Sequence, residues 1–135
     1  RACLPNGGGM LVRSDVFWEL NGFDSEYNPY LLEDTDFSLR MYEEGYWGLY
    51  VPDALIYHDS AQTVGSGNYT GEYANVKVKN WLKFIHRHAP IEQKVLFWTI
   101  GAPYAVLKAV SRELRSGNTE GVSGILKGMR NWIVS

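Results

Sequence analysis

Glu33, Asp34 and Asp36 place three carboxylates within four residues, where the sequence predicts that a loop becomes a helix. Carboxylates gathered in this way can take a proton from a substrate or help to hold a cation. They also have a plainer role, because acids in a first helical turn offset the partial positive charge of its unpaired N–H groups. At roughly 100° per residue, Glu33 and Asp36 fall on one side of the helix with Arg40, Glu43 and Glu44. Asp36 and Arg40 stand four apart and can pair. Asp34 falls away from that polar side, beside Phe37 and Met41. An acid on the apolar side of a helix start is either buried at a cost or aimed into a cleft. Three acids together favour the cleft.

Residues 8–13 read as a buried strand entered through Gly7, Gly8 and Gly9. Ser14 is a plausible N-cap for a short helix ending near Gly22. The acid-bearing helix is predicted over 33–44 and stopped by Gly45. Residues 46–51 and 54–58 read as strands separated by the Pro52-Asp53 turn. Residues 60–71 are polar and glycine-containing, as suits a loop beside a site.

From Glu72 onward the pattern is helical. Val76, Trp81, Leu82, Phe84 and Ile85 give the first of these helices an apolar face, and Pro90 ends it. A second helix is predicted over 91–115 with a kink near Gly101 and Pro103, and a third over 119–134. Residues 95–107 carry no charge, but these thirteen residues fall short of the roughly 20 that span a bilayer. Trp98 and Tyr104 suit a membrane interface, and Lys94, Lys108, Arg112 and Arg115 flank the apolar run. Two expectations follow: a helix lying on an anionic surface, or one packed on a protein neighbour.

Composition sets limits on function. The 135 residues suit one ordinary domain, and a formal charge of −2 gives no electrostatic reason to expect nucleic acid. Cys3 is the single cysteine, which leaves no disulfide framework and no cysteine metal site. His86 and His88 sit at a basic helix end, where they serve the helix dipole more readily than a metal.

Read in order, the segments Gly8-Gly9-Met10-Leu11-Val12-Arg13, Gly22-Phe23-Asp24, Glu33-Asp34-Thr35-Asp36-Phe37-Ser38-Leu39-Arg40, Gly45-Tyr46, Val51-Pro52-Asp53-Ala54 and His58 form a series. That series resembles the second half of an inverting glycosyltransferase of family 2, in its rhamnosyltransferase-like branch. The likeness covers residues 4–65 strongly and 69–90 moderately. It implies an α/β fold: the C-terminal half of a GT-A mixed-sheet domain over residues 1–68, followed by a helical extension over 69–135 that is a candidate for membrane association.

The resemblance also implies roles. Asp34 matches the family's general base, and its helical phase agrees with that assignment. Glu33 is placed to contact the acceptor or orient the loop, while Asp36 acts structurally through Arg40. Gly8 and Gly9 allow close approach to the donor sugar or serve only as a turn. Trp47, with Tyr27, Tyr30 and Tyr46, either stacks on acceptor sugars or belongs to the core. His58 matches a position where some relatives supply a metal ligand, the alternative being a histidine packed at a strand end. The expected cofactor is Mg²⁺ or Mn²⁺, held mostly by an N-terminal half that this chain lacks. The expected partners are a nucleotide-sugar donor, a glycan or lipid-linked acceptor and an anionic membrane surface, at the cytoplasmic face. Because the chain starts at Arg1 without the family's nucleotide-binding half, it reads as a C-terminal fragment that is inactive alone. Two rivals stand beside this reading: a metal-dependent hydrolase built on the same acids and His58, and a non-catalytic docking or membrane-associating module.

Overall fold

The computed structural model describes residues 5, 7–57 and 70–134. The chain divides into two compact units, Arg1–Ser60 and Ala61–Ser135.

The first unit is built on two helices, α1 (Ser14–Glu19) and α2 (Glu33–Glu43), with one 3₁₀ turn, Ser25–Tyr27, between them. Val16 and Leu20 of the α1 region meet Phe37 and Met41 of α2 in a core that also receives Met10, Val12, Phe17 and Tyr46. Phe17, Phe23 and Phe37 pack with ring centroids 5.4–5.5 Å apart. The bend after α1 requires glycine at position 22, where φ is +63° and an added Cβ would come within 2.9 Å of the Phe17 ring. Ser14 does not cap α1. Arg13 occupies the cap position without a side-chain cap bond, and its guanidinium pairs with Asp15 in the first turn.

The strands predicted over 8–13, 46–51 and 54–58 do not form among the described residues, where an isolated bridge at Leu49 is the extent of β pairing. A strand exists only through a ladder of N–H and C=O partners on a neighbour, and no such ladder is present here. An alternation of faces is nonetheless visible over 10–12. Met10 and Val12 pack on the core while Leu11 between them is 99% exposed. Leu49, Val51, Leu55 and Ile56 are likewise exposed. His58, predicted at the end of the last strand, lies outside the described residues, as does most of the polar stretch over 60–71.

The second unit is helical: α3 (Gly71–His88), α4 (Ile91–Leu96), a π-helical segment (Phe97–Gly101), α5 (Ala102–Arg115) and α6 (Thr119–Val134). Thr70 caps α3, its hydroxyl accepting from Tyr73 N. Ala89 is extended ahead of Pro90, as a pre-proline residue should be, and so ends α3. The kink expected near Gly101 and Pro103 takes the form of the π segment. Pro103 has no N–H to give to the preceding turn, and its ring crowds the Thr99 carbonyl, so the backbone widens, with Ala102 N donating to Phe97 O.

Helices α3 and α6 approach through glycine. A Cβ at Gly124 would stand 2.0 Å from Gly71 O, and one at Gly128 would stand 2.5 Å from Asn75 O. Between α5 and α6 the turn is set by Gly117 (φ +72°) and Asn118. The Asn118 Oδ1 accepts from Gly121 N at 2.9 Å and its Nδ2 donates to buried Glu113 at 2.8 Å. Trp98, half-buried, stacks on Trp132 of α6 at 4.5 Å.

Candidate active site

The acid cluster opens α2, as expected, but the approach to it is unusual. Leu31 and Leu32 both adopt left-handed backbone conformations, with φ of 77° and 74°. That region costs a non-glycine residue about 1–2 kcal/mol, so the packing of α2 on the core must hold the chain there. Leu32 stands at the cap position with no side chain to offer, while its carbonyl accepts from Asp36 N at 2.8 Å.

Asp34 turns towards the glycine-rich segment. Its Oδ2 accepts from Gly7 N at 2.6 Å, and its Oδ1 accepts from Thr35 N at 2.6 Å and from Thr35 Oγ1 at 3.1 Å. One helical turn later, Ser38 Oγ donates to Pro5 O at 2.7 Å. Two side chains at i and i+4 on α2 thus bind the backbone on either side of residue 6 and lay that segment along the helix start. Thr35 and Ser38 were not singled out from the sequence, and Gly7 was read there as part of the glycine run and not as a partner of Asp34. The one available signal was the four-residue spacing of Asp34 and Ser38 on the face that also carries Phe37 and Met41.

Asp36 departs from the predicted polar stripe. It is fully buried, whereas Glu43 and Glu44 are exposed. The cause is Arg40, whose Nε meets Asp36 at 2.8 Å while its two terminal nitrogens donate to the carbonyls of Leu20 and Gly22 at 2.5 and 2.7 Å. Closing the end of α1 in this way carries the Asp36–Arg40 pair under the core. Glu33 is half-buried, and its Oε2 is a buried acceptor with no hydrogen-bond partner among the described residues. Burying such a group without a donor is unfavourable.

Of the remaining candidates, Gly8 and Gly9 lie in an exposed turn, and a Cβ on Gly9 would meet Ile56 Cδ1 at 2.7 Å. Trp47 is 70% exposed and packs edge-on against Tyr42 at 5.6 Å. Tyr42 stands eight residues beyond Asp34 on the same helix, roughly 12 Å along its axis, so the fold does not bring Trp47 to the acids. Tyr27 is wholly buried, which removes it as a stacking platform. Tyr46 packs on the core and donates to Glu19 at 2.8 Å, an interaction that raises its phenol above the ordinary value.

No group of three potential metal ligands forms among the described residues. Asp34 and Asp36, although an Asp-x-Asp triplet in sequence, point at different partners, a backbone amide and an arginine. The described residues therefore do not fit a divalent cation. Within the second unit, a cleft between α3 and α6 is lined by Thr70, Glu72, Asn75, Glu120 and Lys127, with no aromatic or large apolar side chain in its lining.

Comparison with known proteins gives the same direction as the acid cluster. A sequence model described as "Glycosyl transferase family group 2" matches residues 2–89, a stretch that contains all of α1, α2 and α3. Two curated relatives are N-acetylglucosaminyl-diphospho-decaprenol L-rhamnosyltransferases of Mycobacterium tuberculosis, from strains CDC 1551 / Oshkosh and ATCC 25618 / H37Rv. Each is 30% identical over 101 residues, covering 75% of this chain and 32% of the relative. The chain thus spans about a third of the length of the curated relatives it matches. No solved structure matches it.

Proposed function

The chain belongs to glycosyl transferase family group 2, and from that premise we propose that it supplies the acceptor-side half of an inverting glycosyltransferase with Asp34 as its general base. The observation that carries this reading is the set of donors around Asp34. An ionised carboxylate offers about four lone-pair sites. Gly7 N, Thr35 N and Thr35 Oγ1 occupy three of them. That leaves roughly one site for the hydroxyl of an acceptor, with the carboxylate held in a single orientation.

The chemistry follows from that geometry. In a single displacement the acceptor hydroxyl attacks the anomeric carbon opposite the nucleotide leaving group, and inversion results. The hydroxyl becomes acidic only as its bond to carbon forms, so an oriented carboxylate takes the proton without needing strong basicity. Glu33 lies next in sequence, and its unsatisfied Oε2 is the second acceptor available to the sugar. A divalent cation on the departing diphosphate is the family's usual means of neutralising that charge, and its ligands in this proposal lie outside the described residues. The mixed GT-A sheet, the division at about residue 68 and a cytoplasmic setting belong to the same proposal.

The relatives' name points to a deoxyhexose donor and a lipid-diphosphate-linked acceptor, and we extend both to this chain. The test uses the polypeptide that contains this segment, given nucleotide-linked rhamnose and a polyprenyl-diphosphate sugar. Transfer with inverted anomeric configuration is expected. Asp34→Asn should lower the rate by at least about a hundredfold while urea unfolding stays cooperative. Turnover retained in Asp34→Asn overturns the base assignment, and retention of configuration overturns the mechanism.

A further inference from the structure

The run from α4 through the π segment into α5 carries an apolar stripe that nothing in the second unit covers. Leu96, Ile100, Leu107 and Leu114 are 61%, 64%, 71% and 60% exposed. Within α5, exposed Pro103, Leu107 and Leu114 follow at the four- and seven-residue spacing of one helix face, with Leu96 and Ile100 exposed ahead of them. The opposite face of α5 turns inward, with Ala102 and Glu113 buried. The stripe is therefore a second, separate apolar side and not the core face of an amphipathic helix.

Charge decides what this side fits. Lys108 and Arg115 are exposed beside the stripe. Glu92 is exposed in the first turn of α4; over residues 93–115 the one acid is Glu113, which is buried and bonded to Arg112 and Asn118. The exposed surface of α5 thus presents leucines and cations without carboxylates. A two-fold contact through this face would set cations against cations with no acid there to pair them. An anionic phospholipid surface instead offers acyl chains to the leucines and phosphates to the cations. Tyr104, 64% exposed with the Lys108 ammonium 6.0 Å from its ring, has the apolar body and polar tip of an interfacial side chain. No helix among the described residues is long and apolar enough to cross a membrane, which leaves lying in its surface.

We propose that α4–α5 lies in the surface of an anionic phospholipid bilayer, with Ile100 and Leu107 in the acyl boundary and Lys108 and Arg115 among the headgroup phosphates. This gives the proposed lipid-linked acceptor the place where it is met. It does not depend on Asp34, so failure of the transferase assay leaves it standing and its own failure leaves the transferase standing.

The experiment is co-sedimentation of the whole chain with phosphatidylcholine vesicles, with and without phosphatidylglycerol. Binding is expected to need phosphatidylglycerol and to fall roughly tenfold or more in Lys108→Ser/Arg115→Ser. Ile100→Glu/Leu107→Glu, at two exposed positions, should abolish binding while far-ultraviolet circular dichroism is unchanged. Should that variant fail to fold, the cation variant and a salt titration decide in its place. Absence of sedimentation with phosphatidylglycerol vesicles overturns the proposal. So does binding that either folded variant retains in full, or a concentration-dependent dimer that Ile100→Glu/Leu107→Glu dissolves.

Discussion

The backbone N–H of Gly7 donates to Oδ2 of Asp34 at 2.6 Å, joining two residues 27 positions apart in the chain. The bond fixes one oxygen of the acid from outside its helix, while Thr35 fixes the other from within it. A carboxylate held on both oxygens keeps one orientation towards whatever approaches it.

From this arrangement Thr35 is a positioning residue. Thr35→Val removes the hydroxyl donor at nearly constant volume and leaves the backbone donor in place. In the transferase assay kcat should fall about tenfold, the worth of a hydrogen bond of roughly 1–1.5 kcal/mol, with the acceptor KM unchanged. Thr35→Ser should restore most of the rate. A rise in KM at constant kcat would show that Thr35 binds acceptor directly.

Arg40 holds the first unit together at three points: Asp36, the Leu20 carbonyl and the Gly22 carbonyl. Asp36 is 0% exposed, so Arg40→Met removes the cation that pairs a buried carboxylate. Breaking a buried pair on one side costs about 3–5 kcal/mol. Urea unfolding should show a loss of that size, while Arg115→Met, at an exposed position, should change little.

Gly124 marks where α3 and α6 touch. Its Cβ would fall 2.0 Å from Gly71 O and 2.8 Å from Ala74 Cβ, so Gly124→Ala must push the helices apart. Overpacking of this kind costs about 1–3 kcal/mol, occasionally more. Ser123→Ala, on the exposed neighbour, should stay within about 0.5 kcal/mol. Equal midpoints for the two variants in thermal unfolding would refute the close contact.

Tyr46 donates its hydroxyl to Glu19, and that bond holds the phenol above its ordinary value near 10. A group whose folded value is raised contributes stability that is complete below its unfolded value and is lost as pH rises through its folded value. Native protein minus Tyr46→Phe should therefore show a tyrosinate absorbance step above pH 10. The stability gap between the two should be constant at neutral pH and close as the medium becomes more alkaline. A step at or below the ordinary tyrosine value would exclude the Glu19 bond.

Much of the helical organisation was legible because helices are made of local contacts. The acids of α2, Pro90 after α3 and the turn before Thr119 each carry their signal within a few residues. The break before α5 was legible from Gly101 and Pro103 for the same reason, although its π form was not. The strands expected over 8–13, 46–51 and 54–58 do not form among the described residues. A strand needs a partner, which no stretch of sequence contains by itself.

At the candidate site, local sequence was enough to set the carboxylates of Glu33, Asp34 and Asp36 together at a helix start and Arg40 four residues beyond Asp36. Only the tertiary structure decided what each acid does with its charge. Helical phase put Asp36 on a polar face, but the Leu20 and Gly22 carbonyls draw Arg40 inward and bury the pair. Phase set Asp34 apart, but its partner, Gly7, comes from a segment that periodicity on α2 cannot see. Local spacing fixes which side of a helix a residue occupies. What lies against that side is set by contacts between residues distant in the chain, which is why the bond from Gly7 to Asp34 emerged only from the fold.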